Sequence, residues 1–400
     1  DTRPHGKNLC ETIKNTLIAC DRNVIDCGVI PTPTAQFIIK NKKIAGGIVV
    51  TASHNPIEWN GLKFLDQDGC FIDDHKMQQL LKTQNKTRAL KKGKIIESKN
   101  AYQDHILNIL NLNCINIDKI KGGNFKVVID AVNGAAYKIL PELLKKLNCD
   151  VIKIHCNNDG TFPRGTEPIP LHLKNLSIKV QEENADIGFA TDPDADRLAI
   201  IDNTGCPIGE ESTLILALES YLKYYKNCQK IVTNLSTSMG VDIIAAKYNS
   251  TVERTSVGEI NDVEKMKEID PVIGGEGNGG VILKESHLGR DSLVASALIL
   301  NHLAQTKLPL NRIMDALPTF AMIKDKITLK NDIDFNDIKD QFKEENDITF
   351  IEGDGLKILW EDKWVHIRKS NTEPIIRIIS EAIDSTTAEE LIDSIKEITS

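Results

Sequence analysis

Three aspartates alternate along Thr191-Asp192-Pro193-Asp194-Ala195-Asp196-Arg197, directly after the apolar run Ile187-Gly188-Phe189-Ala190. Alternate residues of an extended segment point the same way, so Asp192, Asp194 and Asp196 converge on one point. Carboxylates gathered there repel one another unless a cation sits among them. An all-oxygen set without His or Cys suits magnesium better than zinc. A calcium EF-hand is excluded, because its sixth position would be Arg197 and its twelfth Asn203. The plainer alternative is an acidic turn that uses Asp as a turn former.

Three further segments have the composition of a reactive cleft. Thr51-Ala52-Ser53-His54-Asn55-Pro56 leaves the apolar run Ile48-Val49-Val50. Ser53 and His54 are adjacent and so do not themselves make a nucleophile–base pair, and no G-x-S-x-G elbow is present. Taken alone, this segment reads as an ordinary loop, and Lys63, a little downstream, as a solvated lysine that could return to the same cleft. Arg368-Lys369-Ser370-Asn371-Thr372-Glu373-Pro374, with Arg377 beyond, packs guanidinium, hydroxyl, amide and backbone donors together. That mixture suits a phosphate monoester dianion, which takes forked, charge-assisted hydrogen bonds. Finally, Gly275, Gly277 and Gly280 satisfy G-x-G-x-x-G, but the strand-like Val281-Ile282-Leu283 follows them. A dinucleotide fingerprint needs a helix there, so that reading is rejected. A glycine loop carrying Glu276 and Asn278 suits close approach to sugar hydroxyls instead.

Composition narrows the partners. The 400 residues include 49 Lys and Arg against 57 Asp and Glu, a net charge of -8. Such a chain is a poor non-specific partner for nucleic acid or an anionic membrane. No apolar run approaches the roughly 18 residues of a membrane span. Nine scattered cysteines without a C-x-x-C pair fit reduced thiols and a cytoplasmic location, not a disulfide framework or zinc site.

The elements that must position these loops follow a pattern. Short apolar runs at 126–129, 187–190, 231–233 and 272–273 end in polar turns and alternate with helical periodicity, as in Ile139-Leu140, Leu143-Leu144 and Leu147 and again near 212–225 and 292–304. Strand, turn, helix, strand is the signature of α/β layers, whose ligands collect on the turns at strand ends. After residue 318 the character changes. Leu356–Trp360 and Trp364–Arg368 flank a short turn and read as a β-hairpin; a strand at Ile375–Ser380 and a helix at Thr387–Ile398 follow. Lys82–Asn100 reads as a loop or linker.

In this order, Thr51–Pro56, Asp192–Arg197, Gly275–Gly280 and Arg368–Arg377 resemble the α-D-phosphohexomutase superfamily. Pro31-Thr32-Pro33-Thr34, Val257-Gly258-Glu259 and Gly289-Arg290-Asp291 extend the resemblance over essentially the whole chain. It implies an α/β protein of three similar α/β domains plus a smaller C-terminal α+β domain around a central cleft. The expected divisions are 1–105, 106–207, 208–318 and 319–400, each domain giving one loop.

The resemblance also implies roles. Ser53 is expected to carry a phosphoryl group and, through it, to complete a magnesium site made by Asp192, Asp194 and Asp196. His54, Lys63 and Arg197 are expected beside the transferring phosphoryl, with Lys63 a general acid/base. Glu276 and Asn278 are expected at the sugar, and Arg368, Ser370, Asn371, Thr372 and Arg377 around its resident phosphate. The implied activity moves phosphate between C6 and C1 of a hexose phosphate through phosphoserine 53 and a bisphosphorylated sugar, with a sugar bisphosphate as activator. Glucosamine 6-phosphate is the leading substrate; phosphomannomutase/phosphoglucomutase activity and an inactive sugar-phosphate binder are the alternatives. No nucleic acid or membrane partner is expected, and a monomer or homodimer is. Two departures stand out. The family's opening strand and arginine loop would precede Asp1, so the chain reads as a fragment whose first domain lacks a strand. Many members carry histidine where this chain has Gly280, which puts more weight on Lys63.

Overall fold

The structure, a computed structural model, describes residues 1–82, 92–98, 100–225, 229–328, 334–345, 347–369 and 375–399. Two of its sheets repeat one topology. In the first, Lys126–Asp130 pairs in parallel with both Asp150–Ile154 and Ile187–Thr191, and Leu198–Ile201 adds antiparallel to the latter. In the second, Lys230–Asn234 pairs in parallel with Thr251–Thr255 and Ile273–Glu276, and Gly280–Leu283 closes the edge antiparallel. The aspartate segment and the glycine-rich segment therefore occupy the same place in the two sheets, the turn of the closing hairpin. A third such hairpin, Gly47–Val50 with Leu62–Leu65, flanks Ser53.

The inner strands and closing hairpins of the two large sheets are buried on both faces, as in sheets covered by helices. Ile187–Thr191, Leu198–Ile201, Ile273–Glu276 and Gly280–Leu283 are buried at every position. The helices Glu211–Tyr224 and Ser292–Thr306 pack between the two large sheets and join them in one apolar core. Asp291 starts the second of these helices by accepting from the amides of Leu293 and Val294, which satisfies two donors that a helix N-terminus leaves open.

The C-terminal part is a five-stranded antiparallel sheet in the order Ala321–Thr328, Ile375–Ala382, Trp364–Lys369, Leu356–Leu359, Thr349–Glu352. The helices Phe335–Phe342 and Ser385–Thr399 cover one face through Ile338, Phe342, Leu391, Ile392 and Ile395. The expected hairpin, strand and helix are all present. So is the expected architecture of three α/β units plus a smaller α+β unit. The eight described cysteines are unpaired. No helix among the described residues is long and apolar enough to cross a membrane.

Lys82–Asn100 differs from its reading as a loop. Residues 83–91 and 99 lie outside the described residues, but Ile95–Glu97 is a strand, paired in parallel with Val24–Asp26. All three of its side chains are exposed. It buries none of its side chains, so no alternation of apolar and polar residues announces it.

The uncovered face of the C-terminal sheet meets the second large sheet through polar contacts. Lys357 Nζ donates to Leu235 O at 2.6 Å, and Glu381 accepts from Met239 N and from the indole of Trp364. His366 lies between Ser236 Oγ at 2.8 Å and Asp354 O at 2.7 Å. Burial lowers its pKa from 6.5 to about 4. The unfolded chain therefore takes up this proton at a higher pH than the folded one. The stability it lends is full above 6.5 and is lost as pH falls towards 4. Denaturant unfolding of the wild type is expected to lose up to about 1.4 kcal/mol more per pH unit in that window than His366→Gln. Parallel pH curves for the two proteins would mean that folding leaves the pKa of this imidazole unshifted.

Candidate active site

Ser53 sits where the chain leaves Gly47–Val50, with a left-handed φ of 51°. A non-glycine residue there is strained and must be held by its surroundings. Arg3 supplies the hold. Its side chain donates to the carbonyls of Ser53 at 2.6 Å, Asn55 at 2.7 Å and Trp59 at 3.0 Å, and also to that of Pro56. Its Nε pairs with Asp1 at 3.0 Å, Asp1 accepts from Thr51 Oγ1, and Thr51 Oγ1 in turn accepts from the Ser53 amide. One buried guanidinium thus gathers the backbone of the whole loop and leaves the serine hydroxyl facing the aspartates.

Ser53 Oγ donates to Asp192 Oδ2 at 3.2 Å. Asp192, Asp194 and Asp196 are fully buried, and their ligating oxygens all lie within 4.8 Å of one another. Lys63 Nζ reaches Asp194 at 2.6 Å and Asp196 at 3.7 Å. Thr32 Oγ1 donates to Asp194 at 2.6 Å. Asp194 Oδ1 and Asp196 Oδ1 are buried with no hydrogen-bond partner. Buried, unpartnered carboxylate oxygens turned towards one another fit a hard divalent cation, and no soft ligand competes. The electrostatics agree. Burial and the neighbouring aspartates push Asp192 well above the usual carboxylate range, while Asp194 is held far below it because the charge of Lys63 overcomes burial. Burial lowers the pKa of Lys63, but the two carboxylates raise it more, so it is an ammonium at neutral pH.

His54 and Arg197 border this cluster. The His54 carbonyl accepts from Thr166 Oγ1. Its imidazole is neutral, because burial and then the charge of Arg197 lower its pKa to about 4, and its Nδ1 is buried without a partner. Arg197 pairs with Glu167 at 3.1 Å, and its amide donates to Asp192.

The glycine-rich turn adjoins it. Glu276 Oε1 accepts from Asn234 Nδ2 at 2.9 Å and from the Gly258 amide at 3.1 Å. Its Oε2 accepts from Asn278 Nδ2 at 3.0 Å and from Arg290. All four acceptor positions of that carboxylate are filled by the protein. Arg290 also pairs with Asp196 at 2.6 Å and Glu259 at 3.0 Å.

Arg368 and Arg377 face each other across the neighbouring strands that flank residues 370–374. Ser370, Asn371 and Thr372 lie outside the described residues. Like charges directly opposite in a sheet repel. Burial, and Arg377 beside it, hold the pKa of Arg368 below its ordinary value, and its Nε is buried with no hydrogen-bond partner. An anion held against both guanidinium groups would relieve both conditions.

The structure thus brings Ser53, His54, Lys63, the three aspartates and Arg197 together, with Glu276 and Asn278 beside them through Arg290. Sequence reasoning assigned no role to Arg3, Thr32, Glu167, Glu259 or Arg290. The only signal for Thr32, Glu259 and Arg290 was their place in segments of the family resemblance. Arg3 and Glu167 had none.

Known proteins agree along the length of the chain. Family descriptions for phosphoglucomutase/phosphomannomutase match in order: alpha/beta/alpha domain I at residues 1–91, domain II at 100–205, domain III at 209–320 and the C-terminal domain at 324–398. A phosphoglucosamine/phosphogalactosamine mutase of Sulfurisphaera tokodaii is 33% identical, covering 100% of this chain and 90% of its own length. A phosphoglucomutase/phosphomannomutase of Thermococcus kodakarensis is 34% identical over 98% of this chain and 87% of its own. The crystal structure of a phosphoglucomutase/phosphomannomutase family protein from Burkholderia thailandensis superposes with a TM-score of 0.85 at 24% identity, covering 99% and 87% of the two chains. With all four domain descriptions matched, and relatives above 30% identity spanning nearly its full length, the chain belongs to the phosphoglucomutase/phosphomannomutase family of the α-D-phosphohexomutase superfamily and is a phosphohexomutase, an isomerase.

Proposed function

We propose that this phosphohexomutase converts glucosamine 6-phosphate to glucosamine 1-phosphate, with Ser53 carrying the phosphoryl group. The observation behind the mechanism is the approach of Ser53 Oγ to Asp192 at 3.2 Å, on a loop strained into the cluster of three aspartates. Phosphoserine 53 gives its phosphoryl to a free hydroxyl of the bound sugar phosphate. The bond from phosphorus to Ser53 Oγ breaks, and one from phosphorus to the sugar oxygen forms. The resulting bisphosphate turns over in the cleft, and its other phosphate returns to Ser53.

Magnesium at Asp192, Asp194 and Asp196 would stabilise charge on the transferring group. Lys63, an ammonium beside Asp194, donates the proton that the departing serine oxygen needs, and the amine so formed takes up the proton that the attacking sugar hydroxyl releases. Arg197 adds charge on the same side. Arg368 and Arg377, with Ser370, Asn371 and Thr372, grip the phosphate that stays in place. Glu276 and Asn278 face the sugar, and a sugar hydroxyl reaches Glu276 by displacing the Asn278 amide. Transfer must outrun hydrolysis, so the cleft has to exclude water while the sugar reorients.

The glucosamine assignment draws support from the names of relatives: the mutase of Sulfurisphaera tokodaii and a probable phosphoglucosamine mutase of Methanopyrus kandleri, 30% identical. The 34% identity to the Thermococcus kodakarensis protein supports a second reading, glucose or mannose phosphate. Assays with glucosamine, mannose and glucose 6-phosphates, with magnesium and a trace of the matching bisphosphate, separate the two. The highest kcat/KM is expected for glucosamine 6-phosphate; a preference for mannose or glucose phosphate would overturn that assignment.

The phosphate grip has its own test. Arg368→Ala is expected to weaken hexose phosphate binding about 10- to 100-fold, the worth of one charge-assisted hydrogen bond. Binding of the unphosphorylated hexose is expected to stay unchanged in the same calorimetric titration. Equal losses for both ligands would place Arg368 outside the phosphate site.

A further inference from the structure

We propose that Arg290 is a positioning residue that ties the aspartate turn to the glycine-rich turn, and that residue 280 is glycine so that Arg290 fits. The inference rests on the reading of this cleft as the mutase site.

Each nitrogen of the guanidinium is used on a different carboxylate. Nη2 holds Asp196 at 2.6 Å, Nε holds Glu259 at 3.0 Å and Nη1 holds Glu276. These carboxylates come from the aspartate turn, from the start of the helix Glu259–Ile269 and from the end of the strand Ile273–Glu276. A planar fork can serve three acceptors in fixed directions, whereas a lysine ammonium cannot reproduce that geometry. Because Arg290 occupies Asp196 Oδ2, the partnerless Asp196 Oδ1 is the oxygen left for a cation. The same guanidinium sets where Glu276 stands. The oxygen that would meet the cation and the carboxylate that would meet the sugar are therefore placed by one side chain.

Gly280 supplies the independent observation. It is the first residue of its strand, and its φ is not among the positive values that favour glycine. Glycine weakens a strand unless something approaches its backbone closely. Here that neighbour is Arg290. A Cβ at 280 would overlap Arg290 Cδ and lie 2.9 Å from its Cγ. Those atoms are the stem of the side chain, so any residue larger than glycine must push the guanidinium off its three partners. A side chain at 280 and the Arg290 bridge exclude one another.

A double-mutant cycle over Gly280→Ala and Arg290→Gln tests this. Each single variant is expected to lower kcat/KM for hexose phosphate about 100-fold, the cost of misplacing reacting groups by about 1 Å. The double variant is expected to fall no further, because both changes remove the same bridge. Arg290→Lys is expected to stay within about tenfold of Arg290→Gln, since charge without the fork does not restore three directed contacts.

A second readout needs no turnover. Manganese binding to the sugar-free protein, followed by electron paramagnetic resonance, is expected to tighten about fivefold or more in Arg290→Gln and in Gly280→Ala, because a cation leaves Asp196. Additive losses in the cycle, wild-type activity in Gly280→Ala, or weaker manganese binding in Arg290→Gln would each overturn the proposal. If the wild type turned over no hexose phosphate, the mutase reading would fail, and the manganese titrations across the four proteins would still decide the bridge.

Discussion

Ser53→Ala is expected to abolish hexose phosphate interconversion, by at least about 10⁴-fold in kcat, while leaving binding of the same sugar phosphate measurable. The size of the effect follows from the chemistry. Phosphate monoesters are among the slowest species to react unaided, so a protein that has lost its phosphoryl carrier has no comparable route. Binding survives because the groups proposed to hold the sugar phosphate lie on other loops, with Arg368 and Arg377 on their own strands. Alanine also fits the site, since the loop's contacts with Arg3 are made by backbone carbonyls and not by the serine side chain. Intact-mass measurement gives a second check. Wild-type protein treated with hexose bisphosphate is expected to gain one phosphoryl group and the variant none. Undiminished turnover in Ser53→Ala would remove the phosphoserine mechanism altogether.

The second large effect is expected from removing the divalent cation. Dialysis against a chelator is expected to reduce turnover at least about 100-fold, with recovery on adding magnesium. Asp194→Asn is expected to lose at least about 10³-fold, without recovery at any magnesium concentration. The aspartates are buried, and two of their oxygens have no protein partner. Lys63 and Arg290 offset part of this buried charge, and the two bare oxygens leave the rest to a cation. Asp194 carries more than a share of the cation, because it also anchors Lys63 at 2.6 Å and Thr32 at 2.6 Å. Its amide variant would release the ammonium and loosen the contact between the first and second α/β units. Activity unchanged after exhaustive chelation would show that the cluster serves another purpose.

How far these features could be read in advance depended on how local they are. The alternating aspartates were legible because a period of two in an extended segment places side chains on one side whatever the fold. The C-terminal hairpin over 356–368 was legible because its strands are adjacent in sequence and its turn is short, whereas the facing of Arg368 and Arg377 across the following strand pair came only with the fold. The glycine-rich segment was separable from a dinucleotide fingerprint by the apolar residues that follow it, and the strand Gly280–Leu283 is there. Ser-His-Asn-Pro carried no mechanism by itself. Only its place in an ordered set of four segments gave it one. The strand Ile95–Glu97 left no pattern, because it buries none of its side chains.

Period, turn chemistry and motif order thus determined, from the sequence by itself, the α/β layering, the smaller C-terminal unit and the four segments from which a phosphohexomutase cleft is drawn. Tertiary structure alone decided how those segments are held. Arg3 reaches carbonyls some fifty residues away, and Arg290 reaches an aspartate 94 residues away. A guanidinium that collects distant carbonyls or carboxylates has no local periodicity to betray it, since its partners become neighbours only when sheets and helices close their core. The same holds for Gly280. Its missing side chain makes sense only against the arginine stem that folding lays across it.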